Sequence, residues 1–269
     1  MASRRLLLVH AHPDDEALST GGTIARYSAE GAHVCLVTCT DGQLGEVAEV
    51  PGHGSPDQIR PRLGEVRRAE LVEACRRLGE VDLRMLGYQD SGMAGTPGND
   101  DPEAFVNQDL AEVAGRIAEI IDEVRPLVLI TYDERGSYGH PDHVRAHEAA
   151  MRALSVAEHE VAKVYHTAVP RSLLLMAREL VEAEVFTDDE IDRVGTDDEL
   201  ITTAVDVSAY IDRKFAALEA HRTQLGTTGW ILSMPAEFRA LGFGTEHFVL
   251  ARSSVRGGEG LEPDLFEGL

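Results

Sequence analysis

Basic residues are scarce in this chain: Lys and Arg number 25 against 47 Asp and Glu in 269 residues, a formal charge of −22. Nucleic-acid binding rests on cations that neutralise phosphates, so this balance argues against a nucleic-acid partner and against anionic membranes or polyanionic substrates. A metal ion in a cleft would change the local potential, which leaves small polar substrates compatible. Long hydrophobic runs are also missing, and no stretch is long and apolar enough to span a bilayer. The start, Met1-Ala2-Ser3-Arg4-Arg5, is basic, but the apolar run behind it stops at His10, too early for a signal-peptide core. The expected compartment is the cytoplasm. The only cysteines, Cys35, Cys39 and Cys75, suit it as buried thiols. There is no internal repeat and no low-complexity tract. Gly21-Gly22 does not complete a dinucleotide fingerprint, so nothing here points to NAD.

What the chain does have is 43% hydrophobic residues, enough for one large domain with a proper core. Strands are expected at Leu6–His10, Val34–Thr38, near Leu83–Leu86, at Leu127–Thr131, Val161–Ala168 and Ile201–Val205. Helices are expected from Gly21-Gly22 to Ser28, and over Arg62–Leu78, Ala104–Val124, His143 to about Ala157, Arg171–Glu184 and Ser208–Leu225. Thr40–Pro61 reads as a long loop of the kind that covers a site, and Gln89–Asp101 as a second, glycine-rich one. The early βαβα order implies an α/β fold, Rossmann-like, with a mostly parallel sheet and helices on both faces. Residues 1–170 would form the core and 171–269 a less regular region packed on it, within one compact domain. In that later region Asp188–Glu199 reads as a solvated turn, Gly226–Gly244 as turns, and the tail after Arg256 as loose. Trp230, Phe238 and Phe243 are expected to pack on the sheet; they would also suit a second subunit, so a homo-oligomer stays open.

The chemistry concentrates in two short strings. His10-Ala11-His12-Pro13-Asp14-Asp15-Glu16 follows the first strand, and Tyr138-Gly139-His140-Pro141-Asp142-His143 follows the strand Leu127–Thr131. Open α/β sheets build their sites at such carboxyl ends. His12 and Asp15, three apart in a proline-stiffened turn, can reach one ion, while Asp14 points elsewhere and stays available as a supporting or reacting carboxylate. Glu16 is close enough to orient a ligand. One of His140 and His143 can complete a His-Asp-His set and leave the other free, and Asp142 can accept an imidazole proton. A polar loop with capping acids would explain Asp142 well and two histidines poorly. Zinc is the default metal for two imidazoles and a carboxylate, and iron(II) also accepts them. His10 and His147 are candidate neighbours of the site, whereas His159 and His166 read as packing residues.

At Ala11-His12-Pro13-Asp14-Asp15-Glu16 and Gly139-His140-Pro141-Asp142-His143 the chain resembles the PIG-L/LmbE superfamily of zinc-dependent N-deacetylases, and the likeness continues through Arg67–Gly79 and Asp90-Ser91-Gly92. The resemblance implies His12, Asp15 and His143 as zinc ligands and Asp14 as general base. It further implies His140 as the electrophilic or acid group, protonated beside the reacting carbonyl, with Asp142 orienting and polarising it. Tyr138 would contact the tetrahedral intermediate. Arg67 and Asp90 resemble sugar contacts. Within the family, Asp90-Ser91-Gly92-Met93-Ala94-Gly95-Thr96 and Ser19 resemble the deacetylase of mycothiol metabolism more than its S-conjugate amidase, which places Ser19 and Met93 among the substrate contacts. The implied reaction is removal of acetate from an N-acetylglucosaminyl compound, with the inositol glycoside as first candidate. A conjugate amidase, a deacetylase of another N-acetylglucosaminide such as an antibiotic precursor or chitooligosaccharide, and a non-catalytic metal- or sugar-binding protein are the alternatives.

Overall fold

The computed structural model describes residues 4–49, 54–180, 187–255 and 260–269. Its first strand, β1 (Arg5–His10), is an unbroken apolar run because it is covered on both faces, as central parallel strands are. Leu6 and Leu8 point into one core, with Ile24, Leu71, Phe215 and Leu218. Leu7 and Val9 point into the other, with Val113, Ile117, Ala146 and Ala149. The chain continues through α1 (Asp15–Ala29), β2 (His33–Thr40), a short α2 (Pro56–Ile59), α3 (Leu63–Leu78) and β3 (Val81–Tyr88). It then crosses to the far side of β1 through α4 (Leu110–Val124) and forms β4 (Val128–Thr131), α5 (Pro141–Val156) and β5 (Lys163–Ala168). The last part adds α6 (Arg171–Leu180), α7 (Asp188–Val194), β6 (Thr203–Asp206), α8 (Ile211–Ala220), α9 (Leu225–Leu232), α10 (Ala236–Phe243) and β7 (Thr245–Ser253). Among the described residues no helix is long and apolar enough to cross a membrane.

The seven strands form one sheet in the order β3-β2-β1-β4-β5-β7-β6. It is parallel from β3 to β5, while β7 runs antiparallel to both β5 and β6. The α/β class and the mostly parallel sheet are as the sequence led us to expect. β1 and β4 lie side by side although the chain reverses direction of growth between them, so the crevice beyond their carboxyl ends is the switch point of the fold.

Several expected elements are corrected. Helix α1 starts at Asp15, six residues before Gly21, with Asp15 and Glu16 in its first turn where the helix dipole favours acids. Gly21 and Gly22 lie inside it for another reason: a Cβ on Gly22 would stand 2.5 Å from the Val207 side chain. α4 starts at Leu110, capped by Asp109, whose carboxylate accepts from the Ala111 N–H. The third strand is longer than Leu83–Leu86, and the loop after β2 contains α2; residues 50–53 of that loop lie outside the described residues, as do 181–184 of the expected helix 171–184. Asp188–Val194 is a helix, started by a reciprocal cap between Thr187 and Glu190. Gly226–Gly244 holds two helices, and β7 was not expected at all. Nor is the described tail loose: Leu265 is fully buried, and Glu262 pairs with the buried Lys163 at 3.0 Å.

Candidate metal centre

Three loops, following β1, β3 and β4, meet at the switch point. The first is the turn His12–Asp15. The His12 N–H donates to Asp15 Oδ2 at 2.8 Å, folding the Asp15 carboxylate back beside the His12 ring, whose Nδ1 lies 3.4 Å from the same oxygen. The α5 start supplies the rest: His143 Nε2 lies 3.4 Å from Asp15 Oδ1. His12, Asp15 and His143 are buried, and one donor atom from each falls within 4.8 Å of the others. Neither ring nitrogen of His143 has a hydrogen-bond partner, although both are buried. Buried polar atoms are rarely left so, and a nitrogen lone pair aimed at a carboxylate and a second imidazole is what a cation-binding set offers.

The electrostatics agree. Burial opposes the charge on Asp15, but the neighbouring imidazoles of His143 and His12 outweigh it and hold the carboxyl well below its ordinary range. Burial likewise opposes a proton on His12, yet the carboxylates of Asp142 and Asp15 raise its pKa well above the usual value. The pocket is thus built to hold positive charge. A second group of donor atoms, from His12, Asp90, His140 and Asp142, also falls within 4.8 Å. The two groups share His12. Its Nδ1 side faces Asp15, and its Nε2 side faces Asp142 Oδ2 at 3.1 Å and Asp90 Oδ1 at 3.7 Å.

Asp142 corrects one expectation. Its carboxylate touches His12 and the Ser91 N–H (2.9 Å), with no bond to His140. What Asp142 gives His140 is its backbone: the Asp142 N–H donates to His140 Nδ1 at 3.1 Å, because His140 is the N-cap of α5 and Pro141 begins the helix. An Nδ1 that accepts a hydrogen bond carries no proton, so the ring's N–H is at Nε2. Burial, then the neighbouring rings of His12 and His143, push the His140 pKa down to about 4. The accepting Nδ1 and the lowered pKa both favour the neutral ring over the protonated one expected.

Asp14 stands apart from the cluster as expected, but in a strained backbone. Its φ is 123°, a region that favours glycine and costs a non-glycine residue about 1–3 kcal/mol. Two contacts hold it there. Its N–H donates to Glu16 Oε2 at 2.9 Å, and its carboxylate meets the buried guanidinium of Arg67 at 3.0 Å. Burial raises the Asp14 pKa, with Arg67 working against the rise. Arg67 is anchored in turn on the carbonyls of Pro13 and Gly42. Glu16 therefore serves Asp14 rather than a ligand, and its other oxygen accepts from His221 Nε2 at 2.7 Å.

Of the remaining expected contacts, Asp90 is buried on a turn closed by the Gly92 N–H at 2.8 Å. Tyr138 is half-buried with its ring edge-on to His143 at 4.9 Å, on a loop closed by the Ser137 N–H to Asp133. Ser19 is half-buried on α1. Met93 is exposed, and it is in neither group of possible metal donors. Two site residues escaped the sequence reading, Tyr132 and His221. Tyr132 stacks on His143 (4.1 Å, 17°) and donates its hydroxyl to Asp15 Oδ2 at 2.8 Å. His10, a neighbour the sequence did suggest, continues the chain: its Nδ1 lies 3.2 Å from the Tyr132 oxygen and its Nε2 2.9 Å from Thr20 Oγ1. His221, which meets Glu16, is the second. His147 binds the Tyr132 carbonyl at 2.8 Å, while His159 and His166 are packing residues, as expected.

Residues 7–154 match the family model described as PIG-L: GlcNAc-PI de-N-acetylase. A 1D-myo-inositol 2-acetamido-2-deoxy-α-D-glucopyranoside deacetylase of Acidothermus cellulolyticus is 44% identical over 278 residues, which cover 99% of this chain and 95% of that protein. Among solved structures, the N,N′-diacetylchitobiose deacetylase from Pyrococcus horikoshii superposes with a TM-score of 0.62 at 20% identity, over 93% of this chain and 84% of that one. A 4-carboxy-2-hydroxymuconate hydratase from Pseudomonas putida superposes with a TM-score of 0.60 at 19% identity, over 95% of this chain and 99% of that one. The scaffold therefore carries more than one activity, so the fold alone does not assign one.

Proposed function

The chain belongs to the PIG-L family, and from that premise we propose that it is a metal-dependent deacetylase that frees the amine of an N-acetylglucosaminyl-inositol, the substrate named for relatives 44% identical to it. One observation carries the reading. Two loops about 130 positions apart close a buried His12–Asp15–His143 set, and Asp14 stands beside it on an arginine, free of the set. Nitrogen and carboxylate donors of this kind fit zinc first and iron(II) second.

When bound, such a metal supplies a Lewis acid that polarises the amide carbonyl and acidifies water. The residues do the rest. His12, Asp15 and His143 would be the ligands, with Tyr132 and Asp142 fixing Asp15 and His12 from behind. Asp14 takes a proton from the attacking water and, once protonated, delivers it to the departing amine. His140, neutral with its proton on Nε2, would donate a hydrogen bond to the oxygen that gains charge, and Tyr138, its ring edge-on to that of His140 at 6.1 Å, would donate a second. The general-acid step then falls to Asp14. Arg67 and Asp90, both buried beside the cluster, would contact the sugar, and Arg67 also steadies the base. The region 171–269 supports the site through His221, consistent with one compact unit.

Amine release should be measured from the zinc-loaded protein with N-acetylglucosaminyl-inositol, N-acetylglucosamine, chitobiose and a mycothiol S-conjugate. Preferred turnover of the inositol glycoside, lost on chelation and restored by zinc, is the expected outcome. Faster turnover of another member would discard the substrate but keep the mechanism. Removing the carboxylate behind His12 gives a separate check. Asp142→Asn is expected to weaken zinc binding by about 10–100-fold, read by competition with a chromogenic chelator. Unchanged affinity would mean that Asp142 does not tune the ligand.

A further inference from the structure

A cavity of about 430 Å³ opens onto the metal centre. Asp15, Ser19, Tyr138 and His143 are the lining residues it shares with the neighbourhood of the cluster. Most of its apolar wall comes from the C-terminal helices, with Leu174 and Met176 of α6, Trp230 of α9 and Phe243 of α10, while Arg135, Lys214, Glu246 and His247 also line it. Asp14, Arg67, Asp90 and His140 do not line it. The cluster therefore has a polar side, with the base and the sugar contacts, and an apolar side with a room of drug-like size.

That room does not suit the proposed reaction as it stands. The methyl of an acetyl group is about as large as a water molecule, ~30 Å³. A polyol would lose hydrogen bonds against such walls, at a cost for every hydroxyl left unpaired. The planar amide decides between the two ends of the substrate. Its nitrogen and carbonyl-carbon substituents leave from opposite ends of the C–N bond. With the amino sugar on the Arg67–Asp90 side, the acyl group points into the apolar cavity.

We infer that this cavity is an acyl subsite, and that the enzyme hydrolyses N-acyl glucosaminides whose acyl chain is longer and more apolar than acetyl. The inference rests on the deacetylase reading above. The reaction is unchanged in kind: water oxygen bonds to the acyl carbon, the C–N bond breaks, the amine leaves with a proton, and a longer carboxylate is released. Specificity differs, because each methylene moved from water to the cavity is worth about 4-fold in binding.

The test compares kcat/KM for N-acetyl- and N-hexanoyl-glucosaminyl-inositol, with octyl N-acetylglucosaminide as a third substrate. N-hexanoyl is expected to exceed N-acetyl by about tenfold or more, a part of what the added methylenes offer. A slower N-hexanoyl substrate overturns the inference, as does an equal gain from the octyl aglycone. Turnover of neither inositol glycoside would instead sink the deacetylase reading, and the inference with it. Occupancy has its own reporter, because Trp230 is the only tryptophan of the chain and stands in the cavity wall. Hexanoate should shift its emission saturably and acetate should not; equal responses count against the subsite. Two variants away from the catalytic groups complete the test. Ala177→Phe fills the cavity, and Leu241→Asp charges a residue already 52% exposed. Both should erase the N-hexanoyl advantage and keep N-acetyl turnover, and an advantage retained in both refutes the assignment.

Discussion

Replacing Asp14 with asparagine is expected to slow amine release by about 10²–10⁴-fold and to leave zinc content unchanged. The amide keeps the size of the side chain but cannot take a proton from water or carry one to the amine. The proposed ligands His12, Asp15 and His143 do not include it, so on that reading the metal should stay. Loss of zinc together with activity would make Asp14 a ligand, and full activity would end its role as base. The backbone adds a second expectation. At φ 123° glycine is at ease and aspartate is not. Asp14→Gly should be as inactive as the asparagine variant, yet match or exceed the wild type in urea denaturation by about 1 kcal/mol. Such a gain would show that stability is given up to aim this carboxylate. A clear loss would show that the Arg67 contact outweighs the strain.

The largest loss of stability is expected far from the centre. Lys163 is fully buried in β5, and its ammonium meets both oxygens of Glu262 at 3.0 and 3.1 Å. Tyr165 donates to the same carboxylate at 2.7 Å. Lys163→Met strips the cation from a carboxylate that cannot reach water, which should cost about 3–5 kcal/mol in urea unfolding. Lys163→Met with Glu262→Leu should recover most of that, because neither charge is then buried. A single variant as stable as the wild type would refute the account. The catalytic residues are untouched, so the amine-release rate of the folded single variant should match that of the wild type.

The parts of this molecule that were legible in its sequence are those whose partners are close along the chain or whose pattern is unmixed. Central strands covered on both faces show as plain apolar runs, as Leu6–Val9 does. The two turns of the site keep their residues within three or four positions, so His12–Asp15 and His140–His143 stood out. Tyr132 did not, because the carboxylate it orients is 117 positions away, and His221 meets Glu16 across 205. β7 was hidden by Glu246, a buried acid in an otherwise strand-like segment. It is tolerable only because the Gly22 and Thr23 N–H groups and the Lys214 ammonium satisfy it. α9 and α10 carry Gly226, Gly229 and Gly242, which read locally as turns; packing of Trp230, Ile231 and Phe243 against the sheet core outweighs that weak preference.

The place of β7 between β5 and β6 also sets an order of events as the chain is made. Strands β1 to β5 can pair as soon as they emerge, but β5 then presents an open edge and a buried-to-be lysine whose counter-charge is 99 positions further on. Until that segment arrives, the half-built sheet has an unprotected margin of the kind that pairs with other chains. Closing it requires contacts of long sequence separation, which are slow to form. A nascent chain halted after β5 would therefore carry both strands that support the two histidine-bearing turns, yet still be the species most exposed to misassembly.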